Sequence, residues 1–201
     1  MKNKFKFFTL LTAIALTSLV FTSCSKAPQA EIDAANAAVE AARTAGADVY
    51  LPENFVALQD SLNAVLANVE ATNSKFIKNF STAKEGLAGV TQMANDLVQQ
   101  TATRKEEVKV EIQTAITDVK ALVEEDKQLI TKAPRGKEGA TALNAIRTEL
   151  AAVETAIAEV EAAQGQGDDM ATLDKAKAAK EKATAIKTEL EDVIAKYNAA
   201  R

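Results

Sequence analysis

The stretch LNAIRTELAAVETAIAEV at residues 143–160 is followed by EAAQGQGDD at 161–169 and MATLDKAKAAKEKATAIKTELEDVIAKY at 170–197. In the first, Leu143, Ile146, Leu150, Val153, Ile157 and Val160 step by three and four residues, one stripe of an α-helix. In the last, Met170, Leu173, Ala176, Ala183, Ile186, Leu190, Val193 and Tyr197 make a second stripe. Between them Gly165-Gln166-Gly167 turns the chain, and Asp168 or Asp169 can cap the next helix through a side-chain oxygen. Two matched seams on a short turn predict an antiparallel helical hairpin over 137–201.

Working upstream, Lys132-Ala133-Pro134-Arg135-Gly136-Lys137 closes a preceding helical region, 28–133, because proline and glycine sit poorly inside helices. Within it Pro28 suits a first helical turn, and Ile32, Ala35, Val39 and Ala42 share a face. Gly46 is a stop, Asp48 to Leu51 a connector, and Pro52-Glu53 a restart. Phe55, Leu58, Leu62, Val65, Val69, Thr72 and Phe76 form the next seam, which Phe80, Ala83, Leu87, Val90, Ala94 and Leu97 extend. The spacing alone leaves a continuous helix or a break open there. Asn73-Ser74 are poor helix formers, and a kink or tight turn is expected between Asn73 and Ser81. From Ser81 to Ile130 nothing forbids helix, although Gly86 and Gly89 each cost ~1 kcal/mol against alanine. The predicted class is therefore all-α, an elongated antiparallel bundle of coiled-coil-like hairpins.

Composition agrees. The 201 residues contain no His, no Trp and one Cys, with only seven Phe and two Tyr. Three of the 24 basic side chains and none of the 28 acids fall in residues 1–23, so the remainder carries a net charge near −7. That excludes the broad positive field that nucleic acid requires.

The start of the chain has a different character. Lys2, Lys4 and Lys6 precede an apolar run from Phe7 to Phe21, then Thr22-Ser23 and Cys24. A basic region, a short apolar region and small residues make a secretory signal, too short to span a bilayer comfortably. With cysteine next, the segment resembles a bacterial lipoprotein signal, with Phe21 where an aliphatic residue is usual. The resemblance implies cleavage of 1–23, fatty acylation of Cys24 and a tether at 24–27. A membrane partner through acyl chains follows from it. Ser25 in place of aspartate favours the outer membrane, and the lack of an acidic cluster after Cys24 favours a body facing the periplasm.

A second resemblance rests on Ala30-Glu31-Ile32, on Ala42-Arg43-Thr44-Ala45-Gly46-Ala47 and on Tyr50-Leu51-Pro52-Glu53-Asn54-Phe55. These residues resemble an uncharacterised family of small helical envelope domains found after lipoprotein signals. It implies an all-helical envelope lipoprotein and carries no activity with it.

Residues that bear chemistry are few. Ser81-Thr82-Ala83-Lys84 has the Ser-x-x-Lys spacing of penicillin-binding proteins, without the companion Ser-Asp-Asn and Lys-Thr-Gly motifs. Glu124-Glu125-Asp126 reads as an exposed helix face and Asp168-Asp169 as a cap, so no metal or other cofactor is expected. Lys132, Arg135 and Lys137, and the series Lys175, Lys177, Lys180, Lys182 and Lys187, read as interspersed surface charge. The tail, Val193 to Arg201, resembles that of a peptidoglycan-linked lipoprotein. Arg201 cannot serve as that linkage's amine nucleophile, so a covalent tie is not expected. The sequence thus predicts a non-enzymatic, membrane-anchored periplasmic lipoprotein acting as spacer, adapter or envelope stabiliser. It would contact an envelope protein or peptidoglycan, or associate with itself. The alternative is a helical module that binds lipid or envelope glycan.

Overall fold

The computed structural model describes residues 26–134 and 137–199, apart from the side chains of 137–139. Residues 1–23, the tether residues Cys24 and Ser25, and Arg135, Gly136, Ala200 and Arg201 lie outside the described residues. The described chain is all-helical, with no strand: α1 is Gln29–Thr44, α2 Ala47–Tyr50, α3 Pro52–Asn73, α4 Ser81–Lys132, α5 Lys137–Ala163 and α6 Asp169–Ala199. Each boundary has a local cause. Gly46 takes a left-handed φ of 86° after α1, and Pro52 opens α3 with Glu53 in the favourable first turn. Gly165 and Gly167, at φ 74° and 103°, make the α5–α6 turn. The connector at 48–51 is itself one helical turn, α2, whose Tyr50 and Leu51 amides donate to the carbonyls of Gly46 and Ala47.

Packing divides the chain into two units. The first comprises 26–44 and 53–98. Ala35, Val39 and Ala42 of α1 are buried, as are Phe55, Leu58, Leu62, Val69 and Thr72 of α3. Phe80, just before α4, and Ala83, Leu87, Val90, Ala94 and Leu97 along it continue the buried set. Phe76 does not belong to it: α3 ends at Asn73, the expected break is real, and Phe76 is fully exposed at 103%. Once the helical period stops, three-and-four spacing no longer places a residue on the seam. Gly86 has a positive role here, because a Cβ on it would lie 2.9 Å from Val65 Cγ2. Its helix penalty permits close approach of α3 and α4.

The second unit comprises 45–52 and 99–199. One core runs from Val108 to Ala133 on α4, along the predicted α5 stripe, and along Leu173 to Leu190 on α6. Each fully buried Leu, Ile or Val contributes on the order of 1.5–3 kcal/mol. Tyr50 packs against this core, with Lys105 Nζ 5.2 Å from its ring centroid. Cross-links give the register. Lys120–Glu161 and Lys127–Glu154 ascend α4 while descending α5. Lys177–Glu111, Lys180–Asp118 and Lys187–Glu125 ascend α6 and α4 together. The polar run at 99–107 stays helical because Arg104–Glu107 and Lys109–Glu106 support it one turn apart, while Thr101 and Val108 keep the buried face.

Candidate functional site

The residues that the sequence singles out meet different fates in the structure. Cys24 lies outside the described residues. Ser81 and Lys84 are committed elsewhere: the Ser81 hydroxyl donates to Asn79 Oδ1 at 2.9 Å, and Lys84 Nζ pairs with Glu31 at 2.6 Å. Lys84 holds the Glu31 carboxyl below its ordinary range, and its amine is occupied rather than aimed at the serine. Asp168 caps α6, its side chain accepting from the Ala171 amide at 3.1 Å while its carbonyl accepts from Thr172.

Three lysines of α6, Lys177, Lys180 and Lys187, face acids of α4. Lys180 reaches Asp118 and Lys187 reaches Glu125, each at 2.6 Å, and Lys177 lies 3.6 Å from Glu111. Glu111 also accepts from Arg104 at 2.5 Å, which is the chief reason its carboxyl is held below the usual range. These three of the five lysines in the 175–187 series are spaced to match acids one helix away. Among the described residues, no three His, Cys, Asp or Glu side chains gather as a metal site would need.

One acid of the 124–126 run departs from the exposed face read in the sequence. Glu124 pairs with Lys127, and Glu125 with Lys187, but Asp126 is fully buried with neither carboxylate oxygen hydrogen-bonded. Burial is the main cause that pushes its carboxyl up to about 6. Lys187 opposes the shift, and Glu125 and Glu191 add to it. The signal was available in the spacing: Ile112, Ile116, Val119, Val123, Asp126, Ile130 and Ala133 step four, three, four, three, four, three. Asp126 occupies a seam position, and the neighbouring acids obscured it.

The remaining feature is the turn Ser74-Lys75-Phe76-Ile77-Lys78-Asn79-Phe80. Its ends are ordered. Ser74 Oγ donates to the Ala71 carbonyl at 2.8 Å, Lys78 Nζ to Asn73 Oδ1 at 2.9 Å, and the Ser81 amide to Asn79 Oδ1 at 3.0 Å. Phe80 turns into a cluster with Val69 and Ala83, against which Ala27 and Ile32 pack. Phe76 and Ile77 point outward, 103% and 81% exposed. No described helix is long and apolar enough to cross a membrane.

No family model, curated protein or solved structure matches this chain. What stands is an all-helical protein with a buried, unpaired acid in one core and an ordered, exposed apolar turn between α3 and α4.

Proposed function

We propose that the protein is a bacterial envelope lipoprotein, acylated at Cys24 and carried on the outer membrane with its body in the periplasm. It acts there without catalysis as a spacer or adapter, an elongated antiparallel bundle with coiled-coil-like seams. The observation that carries this reading is the order of features at the start: three lysines, a short apolar run, Thr22-Ser23, then Cys24, with helix beginning at Gln29. Two or three acyl chains, at ~0.8 kcal/mol per buried CH₂, hold such a body firmly on a bilayer. The three-and-four stepping of α3 to α6 and the cross-helix ion pairs support the bundle form. So does the 52-residue α4, which follows about 78 Å of helix axis at 1.5 Å per residue. The engagement of Ser81 with Asn79, and of Lys84 with Glu31, supports a non-catalytic role.

The test is the intact mass of the membrane-extracted protein beside a Cys24→Ser variant, with fractionation of both. The expected wild-type mass is residues 24–201 plus acyl chains, and the variant loses that increment and its membrane retention. An uncleaved or unacylated wild-type chain refutes the reading.

A further inference from the structure

Seven large apolar side chains are exposed among the described residues. Val49, Val56, Met93, Val110 and Tyr197 are 44–66% exposed and well separated in the chain, while Phe76 and Ile77 are adjacent and the most exposed. They do not lie on a loose tail. Thr72 and Phe80, both buried, fix the turn on either side, and Asn79 and Asn73 brace it by hydrogen bonds. The charge around the pair is one-sided: Lys75 and Lys78 flank it, and no acid occurs between Glu70 and Glu85. In a chain with more acids than bases, that is a local positive collar around an apolar tip.

The start of the described chain packs at the same end of this unit. Ala27 and Ile32 lie against Val69, Phe80 and Ala83, and Glu31 pairs with Lys84 at 2.6 Å. Ala27 is three residues after Cys24, a reach of at most about 11 Å for any backbone conformation. A bilayer holding acyl chains at Cys24 is therefore brought to the end of the unit that carries Phe76 and Ile77.

We propose that the 74–80 turn is a second membrane contact. Phe76 and Ile77 enter the interfacial zone of a bilayer, and Lys75 and Lys78 lie at anionic phosphates of its headgroups. Aromatic and aliphatic side chains with neighbouring lysines suit that zone, where an apolar body is buried and ammonium groups stay at the wet surface. This contact builds on the lipid anchor at Cys24. It adds orientation, since a single point of attachment leaves a body free to swing and a second point beside it does not.

The chain contains no Trp, so Phe76→Trp places a single reporter at the tip, and Val56→Trp places one on exposed α3 about 25 Å of helix away from Asn73. Each full-length variant is extracted from membranes and mixed with vesicles of phosphatidylcholine containing phosphatidylglycerol, with and without brominated acyl chains. The expected result is a shift to shorter emission wavelength and severalfold stronger bromine quenching for Phe76→Trp than for Val56→Trp. Adding Lys75→Glu and Lys78→Glu weakens both signals, as does raised salt. Water-like emission from Phe76→Trp in the presence of vesicles overturns the proposal. Emission already shifted before lipid is added, and unmoved by it, also overturns it and assigns the tip to a protein surface, such as a second copy. The mass measurement on the same samples separates the two readings. An unacylated chain whose tip still inserts refutes the anchor alone, and an acylated chain whose tip stays in water refutes the second contact alone.

Discussion

Asp126→Asn removes a charge from the core of the second unit while nearly conserving volume. In the wild type the carboxyl is fully buried, unbonded, and pushed from an ordinary 3.8 to about 6. The folded form therefore binds the proton more tightly than the unfolded form. Stability from this group is fully present below the unfolded value of 3.8 and is lost as pH rises through about 6. At 1.36 kcal/mol per pKa unit the full loss is roughly 3 kcal/mol, and about half of it falls between about pH 5 and about pH 7.5. No His titrates in that window, and the Glu31 and Glu111 carboxyls are shifted the other way, below their ordinary value. Thermal melts followed by circular dichroism at those two pH values should show the wild type losing about 3–6 °C on going to the higher one. Asp126→Asn should abolish most of that difference and gain on the wild type at neutral pH. An unpaired buried amide carries its own penalty of about 1–3 kcal/mol, so the change in slope, rather than the absolute gain, is the diagnostic. A wild type that becomes more stable towards neutral pH, or a variant with the same slope, would refute the burial of an unpaired carboxyl.

Other perturbations test the packing. Gly86→Ala gains helix propensity but sets a Cβ 2.9 Å from the stiff Val65 side chain, so it should not stabilise, and Val65→Ala should relieve it. Gly89→Ala meets nothing within 4 Å and should stabilise by about 0.5–1 kcal/mol in the same melts. Asp168→Ala loses the bond to the Ala171 amide and should cost about 1 kcal/mol, with Asp168→Asn or Asp168→Ser restoring most of it.

Much of the helical framework was legible because its causes are local. The six α5 stripe residues are all buried, since one helix with one apolar face has a single way to hide it. Tyr197, at the far end of the α6 stripe, is 44% exposed, because a stripe predicts burial only where neighbouring helices still cover it. Phe76 fitted the α3 spacing and left it when the helix stopped at Asn73. Asp126 sits in an acidic run that resembles surface, although its three-and-four spacing places it on the buried seam. The lysines of α6 could be counted but not paired, since Lys180 and Asp118 lie 62 residues apart in the chain.

From the sequence alone come the all-helical class, the stops at Gly46, at Pro134 and at Gly165 to Gly167, the restart at Pro52, the apolar seams, and the signal-like start ending at Cys24. All of these are patterns within a few turns of chain. Tertiary structure alone decided that packing divides between Val98 and Gln99 inside α4, where helix propensity shows no break. It also decided that Gly86 is a contact rather than a flaw, that Asp126 is enclosed, and that Phe76 and Ile77 are exposed at the end where Ala27 packs. Burial and partnership depend on which helix lies opposite, and that is a property of contacts between residues far apart in the chain.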